Sequence, residues 1–321
     1  MIEHARDTIF CQPRPINRPQ EDEFGPGIAF IDREFRPLRD AKISIFDYGF
    51  LRSDACQDTV SAWKGVLFRL DDHLDRFARN LEKLRMICPL DRDGLRSVIF
   101  ESLRRTGLRD AYIQVIMTRG TPPPGVRDPR RCVNRLMAFC RPYLHIASPE
   151  TQERGVKLAI TKIRRIPAES VDPLLKTYHW LDLQMAQFEA FDRGADTAAV
   201  VDGDGNIAEG PGFNIFAVHG GEVLTPEGGC LDGVTRATVF DLCRDTNLNA
   251  RPVALSPDAL RSADEVFMTS TAGGIMPIAW VDDRRIGDGA MGPVTKRLRE
   301  MYWQRREAGW HGTPVDYDAS S

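Results

Sequence analysis

Only 7 of the chain's 43 basic side chains are lysines, and one of them, Lys176, stands in the stretch VDPLLKTYHWLDLQMAQFEAFDRG. Arginine carries the same charge but does not give up its proton, whereas a lysine amine can form an imine with a carbonyl compound and carry a proton. Lys176 is therefore a candidate nucleophile, and such chemistry needs a hold for an aldehyde and its phosphate, and an electron sink. Glu209, in IAEGPGFN, is set between glycine and proline, so its carboxylate borders open backbone and could keep a pyridine nitrogen protonated. Gly233, Val234 and Thr235, in LDGVTR, open a helix whose free N–H groups and dipole favour a phosphate. TSTAGG, residues 269 to 274, offers hydroxyls and small residues after a strand, suited to close approach of an anion. Arg76, three residues after His73 in DDHLDRF, could clamp a phosphate through two hydrogen bonds. Taken singly, these segments serve equally as a strand-end glutamate, a Thr N-cap, a strand-to-turn transition and a solvated helix arginine.

The elements that must position these residues follow from periodicity and turn residues. Strands are expected at GIAFI, KISIFD, DTVSAW and VLFRL, the last two joined as a hairpin across Lys64-Gly65. Two helices follow, from about Asp71 to Met86 and from about Asp91 to Arg105. AYIQVIMTRG and VNRLMAFCRPY are strands on either side of the loop TPPPGVRDPRR. The linker-like LHIASPETQERG places a domain boundary near residue 147, dividing an N-terminal arm (1–26), a small domain (27–147) and a larger domain (148–321). In the larger domain, strand VKLAITKI leads to the Lys176 region. Asp172-Pro173 is an N-cap and N1 pair for a helix with Leu181, Met185 and Phe188 on one stripe, closed by Gly194. A meander, a helix after LDGVTR, strand EVFMTST and a helix from Pro293 complete an α+β fold with mainly antiparallel sheets.

Bulk properties limit the function. At 321 residues the chain is long for one core, and its net charge of −3 with interspersed acids and arginines speaks against a nucleic-acid surface. Seven scattered cysteines without a CxxC pair imply reduced thiols and a cytoplasmic setting, and no run reaches membrane-spanning length. GDGAMG, residues 287 to 292, matches a dinucleotide fingerprint but leaves too little chain for a returning strand. DGDGN at Asp202 lacks the glycine and glutamate of a calcium loop, and no histidine pair has ligand spacing, so no metal is expected.

In order and spacing, FRLDDHLDRF, IMTRG, RRIPAESVDPLLKTYHWLDL, AEGPGFNIF, LDGVTRATV, DEVFMTSTAGGIMPI and GPVTKRL resemble the class IV aminotransferases, whose cofactor is pyridoxal 5′-phosphate. The likeness is strongest to the (R)-selective amine transaminases and runs from about Gly27 to Trp303. It implies fold type IV, with Lys176 as the imine-forming residue and proton shuttle and Glu209 as partner of the pyridine nitrogen. Arg76, Val234, Thr235 and Thr271 would hold the phosphate, with Trp180 beside the cofactor. Arg127 would clamp a substrate carboxylate, in a loop that commonly faces a neighbouring subunit's site, which implies a homodimer. Arg52, Gln57, Tyr112, Gln114 and Ala272 would border the substrate.

The departures bear on substrate. Where (R)-amine transaminases carry LHSD-x-TYD this chain reads LRSDACQD, so Arg52, Cys56 and Gln57 replace histidine, threonine and tyrosine and make a more polar pocket. Gln114 stands where branched-chain enzymes often carry arginine. The implied reaction moves an amino group from a primary amine or amino acid to a 2-oxo acid such as pyruvate by a ping-pong route, with (R) selectivity. Alternatives are a D-amino-acid or branched-chain aminotransferase, a pyridoxal-phosphate lyase such as an aminodeoxychorismate lyase, and an Arg-rich interaction protein.

Overall fold

The computed structural model describes residues 25–319, so the expected arm, up to residue 24, lies outside the described residues. Strands β1 (Ile28–Ile31) and β2 (Glu34–Pro37) form a hairpin, and the short helix α1 (Tyr48–Arg52) follows. KISIFD is not a strand. Its Ile45 and Phe46 are exposed, and Asp47 instead caps α1 by accepting from the Gly49 N–H. Strands β3 (Ala55–Trp63) and β4 (Val66–Phe68) are the expected hairpin, turned at Lys64 and Gly65, whose φ angles are 51° and 81°. Two positive φ values favour the tight turn that matches strand twist, and glycine takes one of them without strain.

Helix α2 (Leu70–Lys83) buries Leu70, Leu74, Phe77 and Leu81 at helical spacing, together with His73 and Arg76. Helix α3 (Arg92–Thr106) begins where the Asp91 carboxylate accepts from Gly94 and ends at Gly107, φ 68°. Both helices cover the face of β5 (Ala111–Thr121) that carries Ala111, Ile113, Val115 and Met117, next to β6 (Val133–Pro142). Tyr112 and Gln114 alternate to the opposite face.

After helix α4 (Pro149–Arg154) come β7 (Val156–Arg164), helix α5 (Leu181–Asp192), β8 (Thr197–Val201), β9 (Asn214–His219) and β10 (Glu222–Pro226). Helix α6 (Val234–Asp245), β11 (Ala250–Val253), helix α7 (Pro257–Arg261), β12 (Glu265–Ser270), β13 (Gly274–Val281), β14 (Arg284–Arg285), helix α8 (Pro293–Glu307) and β15 (Gly312–Pro314) complete the chain. One antiparallel sheet has the order β15-β4-β3-β5-β6-β1-β2, and the other β11-β10-β9-β12-β13-β7-β8 with β14 on β13. The second sheet is mixed: β7–β8, β13–β7 and β10–β11 are parallel. The strand β15 carries the chain's end back to the first sheet, across the boundary expected at residue 147.

Helices α6 and α8 pack Val239, Leu242, Leu298 and Tyr302 against Phe216 and Phe267 of the second sheet. On α5 the apolar stripe read from the sequence does not face the core. Leu181, Met185 and Phe188 are 74%, 47% and 59% exposed, while Leu183 and the small Ala186 and Ala190 pack on β7 and β8. Amphipathic spacing identifies an apolar stripe but not the surface that covers it.

Phe77 is fully buried between α2 and the first sheet. Phe77→Ala should cost about 3–5 kcal/mol in urea unfolding of the purified protein. A loss within experimental error would mean that α2 does not anchor this core.

Candidate active site

The two sheets meet at the lysine-bearing loop. Because β4 pairs only with Ala62 and Trp63, the other end of that β3 edge needs a partner for its backbone groups. The loop supplies it. The Gln57 N–H donates to the Lys176 carbonyl at 2.9 Å and the Tyr178 N–H to the Ala55 carbonyl at 3.3 Å, with Thr177 opposite Cys56. Residues 176–178 are thereby held extended, so α5 starts at Leu181 and not at Asp172-Pro173. Asp172 caps a local turn, accepting from the Leu174 N–H at 2.9 Å. Along β3 the side chains alternate, sending Gln57 and Thr59 to the cavity and Asp58 toward α2.

The cavity has a volume of about 240 Å³. Lys176, Glu209, Arg76, Trp180, Val234, Thr235, Thr271, Gln57, Tyr112 and Ala272, all singled out in the sequence, line it. Three other candidates do not. Arg52 is exposed, with its guanidinium 3.7 Å from the Tyr48 ring centre, and Arg127 is exposed in the loop between β5 and β6. Gln114 is half-buried one alternation beyond Tyr112, opposite Thr59. Arg165, Thr59, Asn214 and Thr269 line the cavity without having been picked out, and Asp58 stands directly behind it. For Thr269 a signal existed, since it opens TSTAGG.

At one end stands Lys176. Its amine makes no hydrogen bond or ion pair to a described residue, and burial, then the Arg76 charge, pulls its pKa down to about 8 against the attraction of Asp58 and Glu209. Glu209 is not in a regular strand. It lies between the isolated bridges of Ile207 and Gly210, beside β8. Its Oε1 accepts from Arg165 Nε at 3.0 Å and its Oε2 from the Leu231 N–H at 3.1 Å. Burial raises the Glu209 pKa, and the Arg165 charge only partly opposes this.

The opposite end is built for an anion. Gly233 is the N-cap of α6 without a side-chain cap, leaving the first N–H groups of a 12-residue helix at the cavity. A Cβ on Gly233 would lie 2.1 Å from Asn214 Oδ1, so glycine is required there; Asn214 is itself fixed by donating to the Leu231 carbonyl at 2.7 Å. Arg76 corrects the expectation of a two-pronged phosphate clamp. Its Nε and Nη2 donate to Asp58 at 2.7 and 2.8 Å, and its Nη1 to the Asp232 carbonyl at 3.1 Å. A guanidinium buried this deeply needs its own carboxylate, and it offers the cavity charge and one remaining edge. Burial pushes the Asp58 pKa up, but Arg76 and His73 outweigh it and hold the group well below the carboxylate range.

Comparison with known proteins agrees with this geometry. The family model described as Amino-transferase class IV matches residues 55–281. A putative branched-chain-amino-acid aminotransferase of Methanocaldococcus jannaschii is 34% identical over 276 residues, covering 85% of this chain and 94% of the relative. A D-alanine aminotransferase of Staphylococcus haemolyticus is 27% identical over 281 residues, covering 85% and 95%. The crystal structure of the branched-chain amino acid aminotransferase from Thermobaculum terrenum, in its PLP form, superposes with a TM-score of 0.80 at 26% identity, over 90% of this chain and 98% of that one.

The residues present fit pyridoxal phosphate. Thr269 Oγ1 is buried without a hydrogen-bond partner among the described residues, and Thr269 and an uncapped helix N-terminus line the same cavity. Orphaned donors of this kind suit a phosphate. The acid Glu209 and the unpaired amine of Lys176 line the same cavity, as partners for a ring nitrogen and a carbonyl carbon.

In the cofactor-free protein, acylation of Lys176 by a limiting amount of an amine-reactive acyl donor should rise with a midpoint near pH 8, read by peptide mass spectrometry. A midpoint near 10.5 would refute the desolvated amine. The folded pKa lies below the unfolded one, so the unfolded chain binds more protons between pH 8 and 10.5, and this group's contribution to stability rises with pH across that window.

Proposed function

Because the chain belongs to the class IV aminotransferases and is a pyridoxal-phosphate-dependent transaminase, we propose that it moves an amino group between a primary amine or amino acid and a 2-oxo acid by a ping-pong route, with Lys176 as proton carrier. The observation that carries this reading is the unpaired, desolvated amine of Lys176 in one cavity with Glu209. When bound, pyridoxal phosphate supplies a carbon that exchanges amines and a ring that accepts the electron pair of a breaking C–H bond. Burial lowers the Lys176 pKa to about 8, which suits its amine to take a proton from the substrate α-carbon and give it back. Glu209 would hold a proton on the ring nitrogen, and the α6 N-terminus, Thr235, Thr271 and the free edge of Arg76 would hold the phosphate. Trp180 would wall the ring; it packs beside Gly212, where a Cβ would be 3.4 Å from the indole.

Substrate identity rests on the opposite wall. Thr59 Oγ1 donates to Gln57 Oε1 at 3.1 Å and lies 3.3 Å from the Tyr112 hydroxyl, so the wall is polar where an aromatic side chain would make it apolar. This supports a polar or small acceptor such as pyruvate, in keeping with an (R)-selective or D-amino-acid enzyme. Ala272 leaves room beside it. A second reading, a branched-chain aminotransferase, is favoured by the 34% identity to the archaeal relative of that name. Arg127 and Arg52, exposed and outside this cavity, would serve a neighbouring subunit's site in a homodimer. The exposed Leu181, Met185, Phe188 and Phe191 on α5 supply an apolar face for such an assembly.

Lys176→Ala should lower turnover by at least about 10³-fold. A panel of amines and 2-oxo acids with chiral product analysis decides among the substrates. The double change Arg52→His, Gln57→Tyr should shift the preference toward aryl-alkyl amines, and an unchanged profile would remove the polar-wall reading. Arg127→Ala should raise KM for the oxo acid roughly tenfold while the KM of a carboxylate-free amine stays constant. Equal effects on both would remove Arg127 as a carboxylate clamp. Product release from an amine without formation of the aminated cofactor would identify a lyase instead.

A further inference from the structure

Just past β7, Arg165 lies between two carboxylates that belong to different parts of the site. Its Nε donates to Glu209 Oε1 at 3.0 Å, and its Nη1 donates to Asp182 Oδ2 at 2.7 Å. Asp182 is in the first turn of α5, the helix that follows the lysine loop. It is fixed there by the Ile166 N–H at 2.9 Å and by the Leu183 N–H at 2.8 Å. Little of the three side chains reaches solvent, with 10%, 8% and 9% exposure for Arg165, Asp182 and Glu209.

Charge balance gives Asp182 a purpose beyond fixing α5. A buried guanidinium facing Glu209 alone would form a neutral pair, and Glu209 would gain little from a further cation. With Asp182 present, one positive charge is shared by two negative ones, and the cluster keeps a surplus negative charge. Of the two carboxylates Glu209 is the one that lines the cavity, beside Arg165, so the surplus negative charge is presented there. We propose that Asp182 is a positioning residue that, by neutralising Arg165, sets how firmly Glu209 holds a proton on the cofactor's ring nitrogen. This rests on the role given above to Glu209 and extends it to a side chain with no place in the cavity wall.

Other groups face Glu209 as well: Lys176 across the cavity and the Cys230 thiol near the Leu231 N–H. Lys176 in turn faces Arg76 and Asp58. Asp182→Asn leaves all of these in place and removes one unit of charge while keeping an oxygen for the Ile166 and Arg165 donors.

The test is a pH titration of the holoenzyme reconstituted with cofactor labelled with ¹⁵N in the ring, whose chemical shift reports protonation of that nitrogen. Asp182→Asn should lower the proton's binding constant roughly tenfold, the effect of one charge removed across a guanidinium at an effective dielectric of about 20. Asp182→Glu should restore the wild-type midpoint, and Asp182→Ser, which keeps an uncharged acceptor, should reproduce the shift if the Asn variant does not fold. A folded, cofactor-loaded Asn or Ser variant with the wild-type titration overturns the proposal. So does a shift that Asp182→Glu fails to reverse, because charge would then not be the cause. Glu209→Gln is the separate control: if it leaves the ring nitrogen as in wild type, the reading of Glu209 itself fails, whatever Asp182 does.

Discussion

The site depends on a short stretch of backbone pairing between β3 and the loop that carries Lys176. Two hydrogen bonds, Gln57 N–H to the Lys176 carbonyl and Tyr178 N–H to the Ala55 carbonyl, join the first sheet to a segment of the second half of the chain. The loop can dock there because β4 is too short to cover that edge of β3. Once the register is set, strand alternation does the rest. Gln57 and Thr59 become cavity wall, Asp58 turns to α2, and the Lys176 side chain is left facing the cavity with its backbone already committed.

The second constraint is electrostatic. Three cations and three carboxylates lie in or just behind a cavity of about 240 Å³, where unpaired charge is costly. The structure resolves this by local pairing. Asp58 takes Arg76 with two hydrogen bonds and also accepts His73 Nδ1 at 2.8 Å, and Asp182 takes Arg165. Burial pulls the His73 pKa down despite Asp58, so at neutral pH this histidine is a neutral member of the group. What remains without a dedicated partner is the Lys176 amine and the surplus charge on Glu209. Those are the two functions that a pyridoxal-phosphate enzyme requires of its protein: a free amine and a carboxylate for the ring nitrogen.

Much of this was legible in the sequence because chemistry-bearing residues stood in short, punctuated segments. Lys176 stood out as one of few lysines, Glu209 by its glycine and proline neighbours, and Gly233 to Thr235 as a helix start, and all of them line the cavity. The paired partners were not legible. Asp58 lies 18 residues from Arg76 and Glu209 lies 44 from Arg165, and no local pattern links a buried arginine to a distant acid. For the same reason Arg76 passed for a free phosphate clamp. KISIFD has strand composition, but with Ile43, Ile45 and Phe46 exposed no sheet edge takes it up. The α5 stripe of Leu181, Met185 and Phe188 was legible from its spacing, but not that it is exposed while Leu183, Ala186 and Ala190 pack on β7 and β8.

The central claim, that Lys176 is the residue that bonds the cofactor, is tested most directly by borohydride reduction of the pyridoxal-phosphate-loaded protein followed by peptide mass spectrometry. The account predicts a single phosphopyridoxyl adduct, on the peptide carrying Lys176. An adduct on any of the other lysines instead, or none from a protein that retains its fold, would contradict it.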